Sequence, residues 1–352
     1  MSAPFLPVPN ANTAGYIDPV TMSTYHDFYQ IPQPWRGLDT TVVHIAPNGN
    51  ITHLNGPGAG QEGVVLGMQL QGEQHLPFEQ VIMESAFQLG STITRTNYPQ
   101  RLINLRVQIG GTINGFQYNT YTYQLADNRW WAGQDETQDG WLGIYTRFTG
   151  WRFIPVRPFK TVDTPQKMDP VAYQNNQAIW DINWVSERPY YTRMSLFKTW
   201  KANSAFSKRV DGMYTGSLVL ANQADMPSYV QYIVNGSGQA EVQDNNSSIM
   251  VPLPTMFDSD GPGLVDTDPQ ERTLVAANDP IDNVFFQLLR SSTVLNFLLS
   301  NVGAEGEPWW QRGYVRFLNA IPPQTVATLN VAHTNPNASI TAVVQQRYKR
   351  SR

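Results

Sequence analysis

The chain has no cysteine. That excludes disulfides, thiol nucleophiles and Cys-ligated zinc or iron–sulfur centres. Charge is scarce: Asp, Glu, Lys and Arg make up 15% of the 352 residues, where about a quarter is usual. Asn, Gln, Ser and Thr must carry much of the polar surface instead. Long apolar runs are missing, the longest being a few residues such as 218–221. A membrane helix needs about 20, so no membrane span is expected. The opening MSAPFLPVPNANTAGY shows neither a basic nor an apolar signal region, so a protein synthesised in the cytoplasm is expected. No G-x-S-x-G, P-loop or H-E-x-x-H motif occurs, and the chain reads as no enzyme and as needing no cofactor.

What is present is aromatic and unevenly charged. Phe, Trp and Tyr reach 12%, with ten Trp. With so little charge, this suits a surface largely covered by partners, or simply a turn-rich β protein. The net charge of −4 hides two opposed segments. Residues 147–209 hold eleven Lys and Arg against four acids, and 241–282 hold nine acids against one base, Arg272. The length predicts two domains.

Residues 1–35, with three prolines by position 9, read as an extended arm. Strands follow. Asn48-Gly49 between Thr41–Ile45 and Ile51–Leu54 is a hairpin signal, because both residues tolerate positive φ. Ile103, Leu105, Val107 and Ile109 alternate with Asn104, Arg106 and Gln108, the period of a half-buried strand. Strands are also predicted at 63–70, 151–157 and 179–185, where Trp180, Ile182 and Trp184 share a face. A polar connector at 198–211 marks the boundary between domains of residues 36–204 and 205–335. The second domain has predicted strands at 216–220, 229–234, 241–243, 249–253, 314–318 and 326–331. One helix is predicted from Asp279-Pro280, with Val284, Phe285, Leu288 and Leu289 as its apolar face. A second, at 294–302, ends at Gly303. Residues 336–352 read as a basic tail.

Several groups were weighed for chemistry. Gly58-Ala-Gly60-Gln-Glu-Gly63 fits G-x-G-x-x-G, but a strand pattern follows it where a dinucleotide site needs a helix. A hairpin loop is the better reading. His44 and His53 straddle the Asn48-Gly49 turn without a third ligand nearby, so a surface polar pair is preferred over a metal site. Asp258, Asp260, Asp266 and Asp268 offer oxygen ligands on turns but lack the EF-hand spacing. Asp135, Glu136 and Asp139 lie beside Trp130, Trp131 and Trp141. They would suit a glycosidase, yet read first as a surface loop. The basic, aromatic 147–209 stretch alternates as strand cores in an acidic chain, so no specific nucleic-acid binding is expected.

Taken in order, the strands resemble a family. Residues 98–111, Trp151–Arg157 and Trp180–Trp184 followed by Arg188-Pro-Tyr-Tyr resemble the N-terminal domain of distal tail (Dit-like) proteins of long-tailed phages. Residues 226–236, 265–273 and 321–325 resemble their galectin-like C-terminal domain. The long arm and extra Trp are most similar to minor tail proteins of phages infecting actinobacteria. The resemblance covers about 36–335 and leaves the arm, a 112–150 insertion and the tail without counterparts. It implies a mainly β protein of two β-sandwich domains, the second galectin-like with one or two short helices. It also implies a virion component at the tail tip, usually a hexameric ring, joining the tail tube protein to tip or baseplate proteins. Arg101, Arg106, Lys198, Lys201, Lys208 and Arg209 are the expected contact residues, the last four through charge complementarity. The alternative is a carbohydrate-binding module, with fragment 212–352 gripping host cell-wall glycan.

Overall fold

The computed structural model describes residues 40–84, 89–162, 169–172, 175–203, 208–269, 273–278, 309–313 and 315–352. The expected arm and both helices expected from Asp279 onward lie outside these residues. The described chain is mainly β and divides into two compact units. The first runs to Arg193 and includes Tyr348–Arg352; the second is Met194–Arg347. The division falls inside one uninterrupted strand rather than in the polar connector expected at 198–211.

In chain order the first unit contains β1 (Thr41–Ile45), β2 (Ile51–Asn55), β3 (Val64–Gln71), β4 (Glu79–Met83), β5 (Thr92–Asn97) and β6 (Arg101–Gly110). The short β7 (Thr112–Ile113) and β8 (Phe116–Gln117) lead to helix α1 (Thr120–Trp131). Then come β9 (Gly140–Thr146), β10 (Gly150–Pro158), β11 (Gln177–Ser186) and the start of β12 (Tyr191–Lys201). One sheet has the order β2-β1-β9-β10 and the other β3-β6-β11-β10. Strand β10 serves both, pairing with β9 over 150–156 and then, through Arg157 and Pro158, with Val185 and Trp184 of β11.

The alternation on β6 holds: Arg101, Ile103, Leu105, Val107 and Ile109 are buried, while Leu102 and Arg106 are exposed. The Asn48-Gly49 turn closes β1 on β2, with Gly49 at φ 83°, a conformation glycine adopts without a Cβ penalty. Trp184 of β11 stacks on His44 of β1, ring centroids 4.7 Å apart, so the two sheets meet through these rings.

The 112–150 stretch is more than a surface loop. Asn119 caps α1 by accepting from the Thr122 backbone N–H, and Thr122 answers with its hydroxyl. This reciprocal cap satisfies two otherwise orphaned donors. The helix buries Tyr123, Ala126 and Trp130. Strand β9 lies between β1 and β10 and buries Leu142, Ile144 and Tyr145.

The second unit continues β12 and adds β13 (Lys208–Val210), β14 (Met213–Asn222), β15 (Val230–Asn235), β16 (Ala240–Gln243) and β17 (Met250–Pro252). It closes with β18 (Gly263–Asp266), β19 (Leu274–Ala276), β20 (Thr325–His333) and β21 (Ser339–Tyr348). Its sheets run β19-β18-β15-β21-β12 and β13-β14-β20-β16-β17. Val230, Tyr232, Val234, Ile340 and Val344 from the first sheet join Leu218, Leu220, Leu329 and Val331 from the second in one buried core. Trp200 belongs to that core, and a Cβ on Gly216 would lie 2.0 Å from its indole nitrogen. Only glycine fits there.

Two expectations fail in this unit. Residues 315–319 form no strand, because their backbone is engaged otherwise. Asp244 accepts from the N–H groups of Leu318 and Asn319 at 3.1 and 3.2 Å, and the Asn245 side chain donates to the Asn319 carbonyl at 2.6 Å. Residues 336–352 are not a free basic tail. β21 sits between β15 and β12, with Ile340, Ala342 and Val344 fully buried. The alternating apolar residues of 339–348 outweigh the basic character of the last six positions.

Candidate interaction surface

Arg101 is the clearest correction among the expected contact residues. It is only 1% exposed. Its guanidinium donates to the carbonyls of Pro189 (2.7 Å), Gly72 (3.2 Å), Glu73 (2.7 Å) and Lys349 (2.9 Å) and lies over the Tyr191 ring. The fork geometry of arginine lets one cation satisfy several oxygens. Arg101 therefore ties loops and the last residues of the chain into the first unit, and its side chain is spent on internal contacts. The C-terminus gains further anchors there. Arg152 donates to the Arg350 carbonyl at 2.8 Å and its guanidinium lies 4.0 Å from the Tyr348 ring centroid. Arg352 bonds Glu73 at 3.1 Å, and Ser351 is fully buried.

Arg106 does face solvent. It makes a two-pronged bond to Asp181, directly opposite on β11, at 2.7 and 2.9 Å. That bond raises the arginine pKa and lowers that of Asp181. Lys198 and Lys201 are exposed on β12, and Lys208 and Arg209 are backbone members of β13. All four belong to the second unit, the unit that also holds the acidic 241–282 segment.

Most described carboxylates of that acidic segment are spent internally. Asp260 pairs with Arg312 at 2.5 and 2.9 Å, which holds it below the usual carboxylate range. Asp268 pairs with Arg347 at 2.5 Å, and Asp266 accepts from Gln231 at 2.6 Å. Asp258 and Asp260 lie in a turn, whereas Asp266 ends β18. Among the described residues no three His, Asp or Glu side chains gather as metal ligands. His44 and His53 do not face each other either. His44 sits opposite Thr52, and His53 bonds Glu62 at 3.0 Å. Gly58, Gly60 and Gly63 all have positive φ in the β2–β3 loop. Asp135 closes its own turn by accepting from Thr137 and Gln138, which lowers its pKa, while Asp139 lies 3.9 Å from Arg157.

The surface feature that sequence reasoning missed is the hairpin β4–β5. It is a two-stranded sheet of its own, with Ile82 opposite Ile93 and Val81 opposite Arg95. Every residue of β4 is exposed, as are all but the last of β5. Phe78, Val81, Ile82, Met83, Ile93 and Tyr98 are each between 44% and 61% exposed. An isolated two-stranded hairpin is marginal in water, and strand edges that pair with no other strand among the described residues invite strand addition. Clustered apolar exposure of this kind marks an interaction site. The β-branched runs Val81-Ile82 and Thr92-Ile93-Thr94 were the available signal.

No protein-family model matches the chain, and no curated protein does. Among solved structures it is similar to the SPP1 Dit protein, described as a paradigm of the hub adsorption apparatus in phages infecting Gram-positive hosts. Identity is 10% and the TM-score 0.49, covering 88% of this chain and 98% of that one. It is also similar to a chain of the phage P2 baseplate in its activated conformation with calcium, at 9% identity and TM-score 0.46, covering 88% and 98%. Among the described residues no helix is long and apolar enough to cross a membrane.

Proposed function

We propose that this chain is a structural, non-enzymatic tail hub of the distal-tail kind. Copies of it assemble into a ring, usually of six, at the virion tail tip. The ring joins the tail tube to tip or baseplate proteins, and its mechanism is contact rather than chemistry. The observation that carries the reading is hairpin β4–β5, whose apolar side chains find no core in their own unit. A second copy, presenting the same strand edges, is the occupant that would complete it. The order of β-strands in two successive sandwiches supports the same reading, as does the sequence resemblance.

The test is a hairpin variant, Ile82→Asp with Ile93→Asp, followed by light scattering and negative-stain imaging. Both positions are exposed in the single chain, so folding stability should move by less than about 1 kcal/mol. The wild type should form rings and the variant monomers with unchanged circular dichroism. Rings that persist in the variant, or a wild type that stays monomeric, would overturn the assignment.

A further inference from the structure

The first unit contains a cleft of about 590 Å³ where the end of α1 meets β11 and the segment after β10. That lies within the usual size of small-molecule sites, about 300–1,000 Å³. Trp131 and Trp180 meet in its wall with ring planes at 89° and centroids 5.1 Å apart. Phe159 adds a third, half-exposed ring, and Gln134, Glu136 and Lys160 bring polar ends to the same cleft.

The hydrogen-bond inventory of these groups is incomplete in a specific way. Trp131 donates to Asp127 at 3.2 Å, and the Gln134 carbonyl accepts from Trp184 at 3.0 Å. The Gln134 amide nitrogen and the Trp180 indole nitrogen are buried and have no acceptor among the described residues. Buried donors are normally satisfied. Glu136 is exposed and forms no ion pair among the described residues. The cleft walls therefore combine flat apolar rings, one carboxylate acceptor and one ammonium.

We infer that this cleft binds a saccharide ring. A sugar is the ligand class with an apolar C–H face for the indole rings and a rim of hydroxyls that both donate and accept. Glu136 would accept a hydrogen bond from a hydroxyl, and Lys160 would donate to a hydroxyl or carbonyl oxygen. A purely apolar ligand would strand these polar ends in a dry cleft. A phosphorylated one would meet the Glu136 carboxylate. Binding is inferred rather than cleavage: Glu136 is the one carboxylate that lines the cleft, where most glycoside hydrolysis uses two, and Asp135 is held by its own turn. This inference does not rest on the hub reading, and it places sugar recognition in the first unit instead of the 212–352 fragment.

The test uses the full chain titrated with chitotriose, cellotriose, xylotriose and mannotriose, read by tryptophan fluorescence and calorimetry. At least one should bind, and Glu136→Ala, an exposed and fold-neutral change, should weaken it about tenfold, the worth of one charged hydrogen bond. Trp180→Phe should weaken it too, while Trp310→Ala in the second unit should leave it unchanged. Failure of all four sugars to bind at up to about 10 mM, or binding indifferent to Glu136→Ala and Trp180→Phe, would overturn the site. Binding lost only with Trp310→Ala would move it to the second unit and likewise overturn it. Ring formation, measured in parallel, is independent of each result.

Discussion

The two units differ in the apolar surface they leave exposed. The second unit closes on itself. Asn245, fully buried and at φ 45°, accepts from the Val230 N–H and donates to Thr267 and the Asn319 carbonyl. Beside it, Asp244 receives the backbone of 318–319. Acidic side chains that looked available for partners are turned inward on Arg312 and Arg347. The first unit has an equally committed centre at Arg101, yet it leaves a hairpin exposed, while each unit keeps a buried indole N–H, Trp180 and Trp200, without an acceptor among the described residues. Composition alone pointed to complementary charge between segments 147–209 and 241–282. The difference teaches that charge counted along a chain says little about charge offered to a partner.

The largest effects should come from the two buried polar centres. Asn245→Ala would strand the Val230 N–H and the Asn319 carbonyl, and Ala is a poor tenant of a left-handed backbone site. The expected loss is about 3–5 kcal/mol, confined to the second unit. Arg101→Met should cost the first unit a similar amount, because four carbonyls lose their donor. Hydrogen exchange resolved by unit would check both. If either variant loosens both units equally, the picture of two separately closed cores fails.

Much of the fold was legible because period-2 alternation survives wherever one sheet face is buried. β6, β11 and β20 were found this way, and β1 and β2 by the Asn48-Gly49 turn between them. The parity of β6 even carried the fate of its arginines: Arg101 shares the odd positions with Ile103, Leu105, Val107 and Ile109, while Arg106 sits on the even face. Reading Arg101 as a contact residue set residue type above position. Helix α1 escaped because its buried side chains, Tyr123, Ala126 and Trp130, are too few to print a stripe, though Asn119 and Thr122 spelled its cap. The Trp131–Trp180 cleft was not legible, since its walls come from segments joined only by the fold.

A smaller effect separates the units by pH. Burial between Trp130 and Trp184 lowers the His44 pKa from 6.5 to about 4. On acidification the unfolded chain takes up this proton first. The contribution to stability is therefore complete above pH 6.5 and is lost as pH falls towards 4, by up to about 3 kcal/mol. His333 in the second unit is lowered in the same direction by burial. A His44→Gln variant, unfolded in denaturant at pH 7 and pH 4.5, should lose most of the first unit's pH dependence and leave the second unit's intact. An unchanged slope in the first unit would show that His44 is not its acid-sensitive group.

The smallest effect should come from the charges that first drew attention. Reversing Lys198, Lys201, Lys208 and Arg209 to Glu alters exposed or edge-strand positions of the second unit. Their supposed acidic counterparts Asp260, Asp266 and Asp268 are already paired or hydrogen-bonded within that unit. Exposed ion pairs are weak and screened by salt. Ring assembly should therefore shift by less than about tenfold in midpoint concentration, with a shallow salt dependence, where the Ile82→Asp and Ile93→Asp change abolishes it. Light scattering across a salt series ranks the two directly. If charge reversal dissolves the rings and the hairpin change does not, the association surface belongs to the second unit and the contrast between the units is inverted.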